Sequence, residues 1–135
     1  MKTRTLGVCL LLLINVSFIK GQSLADKVDM WMGTYGAGHC VVGPQLPHGS
    51  VNPSPQTANG GHAGYMPDQP IRGFGQLHVS GIGWGRYGQV LLSPQVGFNP
   101  GEKGHDSPKQ DEVASPYYYK VMLNRYNIQA EVSPT

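Results

Sequence analysis

The end of the chain carries the strongest constraint on its fold. Tyr117, Tyr119, Val121 and Leu123 alternate with Tyr118, Lys120 and Met122. After a polar stretch at 124–127, Ile128, Ala130 and Val132 alternate with Gln129 and Glu131. Successive side chains on a strand point to opposite faces, so this period-two pattern on both sides of a short turn specifies a β-hairpin with one apolar face. That face needs cover, and no stretch of the chain offers a helical period. The 19 glycines and 11 prolines break up the remainder into short pieces. More strands must supply the cover. The expected fold class is all-β, an antiparallel β-sandwich of short strands and long loops.

Other elements are fainter. Residues 74–80 and 89–94 read as strands, with Val90 and Leu92 sharing a face. Residues 35–43 read as a glycine-rich loop, and 44–64 as loops and short extended pieces. Residues 101–112 read as a polar loop whose charges, the Asp111-Glu112 pair included, are solvated. Residues 24–32 fit either a helical turn capped by Ser23 or an extended segment.

The start of the chain has the pattern of an export signal. Lys2 and Arg4 precede an apolar run at 6–18, long enough for a signal-peptide core and short for a membrane span. Small residues suited to cleavage follow at Gly21 and Ala25. The reading is a signal peptide at 1–25 and a β-domain at 26–135. The protein is then exported, to a periplasm or outside the cell, with no membrane attachment after cleavage. Without Lys2, Arg4 and Lys20, seven basic residues face eight acidic ones, a net charge of −1. No basic stripe remains to attract a nucleic acid. Cys40 is the one cysteine of the mature part and has no internal disulfide partner. It reads as a small buried hydrophobe.

The residues richest in chemical possibility lie at 73–84. Gln76, His78 and Ser80 share the polar face of a strand, and Leu77 and Val79 the other. Gly81-Ile82-Gly83-Trp84 follows. Glycines allow close backbone approach, and an indole can stack on the apolar face of a sugar ring. The segment fits a sugar-pocket wall, and equally a hairpin corner with a packing Trp84. Residues 83–88 match the G-x-G-x-x-G pattern, but a strand ending at Pro94 follows where a dinucleotide site needs a helix. The five histidines, His39, His48, His62, His78 and His105, show no metal-ligand spacing. No metal ligand is assigned in this chain.

The ordered motifs from Val28 to the last residue resemble glycoside hydrolase family 92, the calcium-dependent exo-α-mannosidases. Residues 73–84 are similar to the family signature "GFSHTHLSGTG". Residues 28–34 resemble "VDPFIGT", and Gly38-His39 fits "GHGHT". Residues 43–57 resemble "GATVPFGMVQLSPDT". Gly64-Tyr65 and Ile71-Arg72-Gly73-Phe74 match its Gly-Tyr and "I-x-GF". Residues 114–121 resemble "ASPGYYSV".

The resemblance implies an N-terminal β-sandwich that lines part of a sugar pocket in a longer enzyme. It implies hydrolysis of terminal α-linked mannose with inversion. The general acid, general base and calcium ligands of the family belong to a C-terminal helical barrel domain, so no catalytic residue is assigned here. Trp84 falls where some members of the family have Trp and others Cys, and an aromatic there suits a platform for the leaving-group sugar; His78, Ser80 and Gly83 complete the candidate substrate-binding set. The partner implied is a mannose-containing glycan, together with the C-terminal catalytic domain. Departures occur at Arg86 and Gln89, where the family often has acids, and at His48-Gly49-Ser50 in place of "FGM". The pattern ends inside a strand at Val132-Ser133-Pro134-Thr135, which reads as an incomplete sandwich: an N-terminal fragment, inactive by itself. The alternative is a stand-alone secreted carbohydrate-binding β-domain without catalysis.

Overall fold

The computed structural model describes residues 23–36, 40–47, 49–57, 64–76, 90–98 and 105–134. Among these residues six strands form two antiparallel three-stranded sheets. The first sheet holds β1 (Ser54–Thr57), β2 (Ile71–Gly75) and β3 (Leu91–Leu92), in that order. The second holds β4 (Lys109–Ser115), β5 (Tyr118–Leu123) and β6 (Ile128–Val132), also in chain order. The all-β sandwich expected from the C-terminal hairpin is the fold observed.

The hairpin matches its pattern. Tyr119, Val121, Leu123 and Ala130 are buried, and Ile128 and Val132 pack against them. The turn at 124–127 closes with Asn127 at φ 52°, a left-handed conformation that asparagine tolerates better than most residues. Tyr117 leaves the shared face. It sits in the tight turn between β4 and β5, exposed, and donates through its hydroxyl to Asp26 Oδ1 at 3.1 Å.

The first sheet supplies the cover. Val42, Tyr65, Ile71 and Phe74 join the buried residues of the second sheet in one core. The Phe74 and Tyr119 rings meet edge to face, 6.2 Å between centroids, a preferred aromatic geometry. The sheets are also joined by backbone. Ile71 N donates to Ser107 O at 2.9 Å, and Ser107 N returns to Ile71 O at 2.8 Å. Burial of Ser107 leaves its hydroxyl in need of partners. It donates to Pro108 O and accepts from Arg125 N.

Several local expectations are corrected. The second strand runs at Ile71–Gly75 and so begins earlier than residue 74; residues 77–80 lie outside the described residues. The third strand is two residues long, with Leu91 and Leu92 both exposed. Residues 109–112 belong to β4 and not to a polar loop. Ser23 caps a 3-10 turn at Leu24–Lys27, accepting from Ala25 N at 3.2 Å; the helical alternative holds there, over a single turn. Cys40 is exposed and not a buried hydrophobe, and its sulfur lies against Gly33. Among the described residues no helix is long and apolar enough to cross a membrane.

Two glycines set the closeness of the packing. A Cβ on Gly43 would overlap the Pro53 carbonyl and approach Ser54 Cα to 2.5 Å. The Gly43 amide also donates to the buried Ser54 hydroxyl at 3.2 Å. A Cβ on Gly73 would meet Leu92 O at 2.7 Å. Backbone atoms cannot step aside as a flexible side chain can. Gly43→Ala is expected to cost about 1–3 kcal/mol, lowering Tm by at least about 4 °C in a thermal melt. Gly36→Ala, with open space around it but φ 64°, should cost less.

Candidate functional site

The most organised polar site among the described residues lies between the sheets. It is built on an irregularity of β4. Gln110 pairs with Met122 and Val113 with Lys120, so three steps on β4 oppose two on β5. The extra residue is a β-bulge, with Asp111 at φ 52°. An unbroken strand would put Lys109 and Glu112 on opposite faces. The bulge turns both inward, and their side chains are 8% and 17% exposed.

Glu112 is the hub. Tyr119 donates its hydroxyl to Oε1 at 2.5 Å, and Tyr65 donates to Oε1 at 2.9 Å. Lys109 Nζ lies 3.1 Å from Oε2 and donates to the Tyr65 hydroxyl oxygen at 2.6 Å. The ammonium also faces the Tyr65 ring, 4.0 Å from its centroid. Tyr65 comes from the segment before β2, Lys109 and Glu112 from β4, Tyr119 from β5. One carboxylate thus ties the two sheets together. Burial, and then the Glu112 charge, push both phenols far above the ordinary tyrosine value. Burial lowers Lys109, and the Glu112 charge opposes that shift.

This arrangement holds protons and does not trade them near neutral pH. Glycoside hydrolysis needs two carboxyl groups about 5–5.5 Å or about 6.5–9.5 Å apart, with room for substrate. Glu112 has its oxygens occupied by three donors. Other acids bond elsewhere: Asp106 to Arg72, Asp26 to Tyr117, Asp29 to the Trp31 amide, Glu131 to Gln129. The site is an anchor for the sandwich.

A groove of about 330 Å³ opens beside it, lined by Pro67, Asp68, Gln69, Pro70, Pro108 and Lys109. The turn at 66–69 shapes one wall, with Gln69 N donating to Met66 O at 3.2 Å. Pro67 and Asp68 occupy its central positions, as suits a type I turn.

The sequence profile of the glycosyl hydrolase family 92 N-terminal domain matches residues 27–135. The chain belongs to this family. Its fold is similar to a solved family GH92 alpha-mannosidase from Bacteroides thetaiotaomicron, with TM-score 0.74 and 33% identity over 84% of this chain. The same enzyme solved with mannoimidazole superposes equally well, at 32% identity. The chain covers 17% of that enzyme's length. No curated protein matches it.

Within this family 92 domain, Trp84, His78, Ser80 and Gly83 all lie outside the described residues, as do His39, His48 and His62. The described residues do frame the stretch that carries the first four. Gln76 N donates to Val90 O at 3.2 Å, and Asn52 N to Gln76 O at 3.1 Å. Gln76 and Val90, the described residues on either side of 77–89, therefore stand together at one end of the β2–β3 pair. Reasoning from sequence missed the Glu112 cluster. The only available signal was a Gly-Tyr motif and an Asp-Glu pair far apart in the chain.

Calcium, which the family resemblance implies, takes six to eight oxygen ligands. No group of three or more His, Cys, Asp or Glu gathers among the described residues. They do not fit a calcium site.

Glu112→Ala leaves two phenols and an ammonium without their acceptor. It is expected to lose about 3–5 kcal/mol in urea unfolding, and Glu112→Gln, which keeps one acceptor oxygen, less. The pH dependence follows from the phenols. With native values raised, Tyr65 and Tyr119 stay protonated where an unfolded chain has lost those protons. Their contribution is intact below about pH 10. Above that pH stability should fall by up to about 1.4 kcal/mol per pH unit for each phenol. Lys109, lowered, acts oppositely just below about pH 10.4 and softens the onset. Unfolding midpoints from pH 8 to 12, with tyrosinate absorbance recorded alongside, check the sign.

Proposed function

We propose that this chain is the N-terminal β-domain of an exported exo-α-mannosidase, occupying residues 26–135 after removal of a signal peptide. The whole enzyme hydrolyses terminal α-linked mannose from glycans with inversion. What carries this reading is the family match over 27–135 joined to the 33% identity with an alpha-mannosidase. The mannoimidazole complex of that enzyme supports a mannose-like ligand.

In this reading the domain does no bond-breaking. Inversion uses a general acid on the leaving oxygen and a general base on water at the opposite face of the ring. Both belong, with the calcium, to a helical domain outside this chain. The role here is to hold the sugar beyond the scissile bond. Trp84 offers a stacking face, His78 and Ser80 offer hydrogen bonds, and Gly83 admits the sugar close to the backbone. The sheet end at Gln76 and Val90 sets where that stretch begins and ends.

Two measurements test the assignment. The purified chain alone should release no mannose from aryl α-mannoside or α-1,2-mannobiose with calcium present; release would place the acid and base inside these residues and sink the division of labour. In the full-length enzyme, Trp84→Ala should lower kcat/KM roughly tenfold to hundredfold, the worth of one aromatic contact, with the melting temperature little changed. Full activity on disaccharides would remove Trp84 from the pocket. A variant that fails to fold would make it a core residue.

A further inference from the structure

The groove beside the Glu112 anchor has the chemistry of a ligand site of its own. Its walls are rigid. Pro70 and Pro108 immediately precede Ile71 of β2 and Lys109 of β4, and proline fixes φ. The Ile71–Ser107 backbone pair ties those two walls together. Pro67 and Asp68 are held in the 66–69 turn, which Met66 N secures by donating to the Thr57 hydroxyl at 3.1 Å.

The lining also selects. Prolines present C–H surface and no N–H. Lys109 has three N–H donors; two go to Tyr65 and Glu112, and the side chain also lines the groove. Glu112 balances the Lys109 charge, and exposed Asp68 adds a negative one at the mouth. Anions are disfavoured by Asp68, and cations meet the ammonium. A neutral ligand with an apolar face and neighbouring hydroxyls satisfies both groups, accepting from Lys109 and donating to Asp68. The volume of about 330 Å³ is at the small end of ligand sites, the scale of a single sugar ring.

We propose that this groove is an accessory saccharide subsite that takes one neutral sugar unit between Asp68 and Lys109. It does not rest on the Trp84 reading. With no aromatic in the lining, affinity is weak, about millimolar.

The full chain, isotope-labelled, is titrated with methyl α-mannoside, α-1,2-mannobiose and maltose, and the amide resonances are followed by NMR. The expected result is saturable shifts at the Asp68, Gln69 and Lys109 amides with at least one of these sugars. Asp68→Ala should weaken them at least roughly tenfold while leaving the thermal melt in place, and Trp84→Ala should leave them intact. Silence at those three amides, shifts that survive Asp68→Ala, or shifts driven equally by inorganic phosphate overturn the proposal. Such a failure leaves the mannosidase reading untouched, since that stands on activity and on Trp84 in the full-length enzyme.

Discussion

A single carboxylate, largely sequestered between two small sheets, is the interaction on which this domain depends. Among the described residues each sheet has three strands, and eight residues form the shared apolar core. A small apolar core leaves little margin against chain entropy. Glu112 adds directed bonds where apolar contact is thin, linking Tyr65 on one side to Tyr119 and Lys109 on the other. Burying a charge is expensive unless it is paired and fully hydrogen-bonded. Here both conditions are met, and the rings of the two phenols serve the apolar core as well. Tyr119 touches Phe74, and Tyr65 touches Trp31 at 6.1 Å. The same residues therefore close the polar network and the hydrophobic one. Neither can be loosened without the other.

The bulge in β4 is what makes the arrangement possible. A regular strand carries Lys109 and Glu112 to opposite faces, and the pair cannot form. One extra residue, with Asp111 accepting a left-handed backbone, places both inside. Asparagine and aspartate bear that conformation at lower cost than other non-glycine residues. Asp111 points outward, exposed, so its own charge stays in water. The adjacent acids Asp111 and Glu112 thus have opposite roles, set by backbone geometry.

That geometry explains what could be read in the sequence. The β5–β6 hairpin was legible because its alternation is regular on both strands, from Tyr119 to Leu123 and from Ile128 to Val132, and its apolar face demanded a second sheet. The family motifs were legible because short strings survive in order. β4 was not, because a bulge breaks the period that identifies a strand. Its inward residues at 109, 112 and 114 follow no simple alternation, and their charges suggested solvent. The cluster was hidden for a further reason: Tyr65 and Glu112 are 47 positions apart, and only the closed sandwich joins them. β3 misled in the other direction. Its apolar residues suggested a longer strand at 89–94, whereas the pairing covers Leu91 and Leu92 alone.

Gln76 and Val90, which flank residues 77–89, connect the anchor to the proposed chemistry. They stand beside the β2–β3 pairing and are joined by the Gln76–Val90 bond. β2 in turn is held to the second sheet by Phe74 against Tyr119, and Tyr119 by Glu112. Gly73 sits in the middle of this path, where the Leu92 carbonyl approaches too closely for any side chain. Precise sites stand best on rigid elements with a supporting shell. Glu112 has its oxygens taken by Tyr65, Tyr119 and Lys109, and β2 is seated against one of the tyrosines it holds. A change at Glu112 that spares the fold would therefore act on β2 through Tyr119 and Phe74.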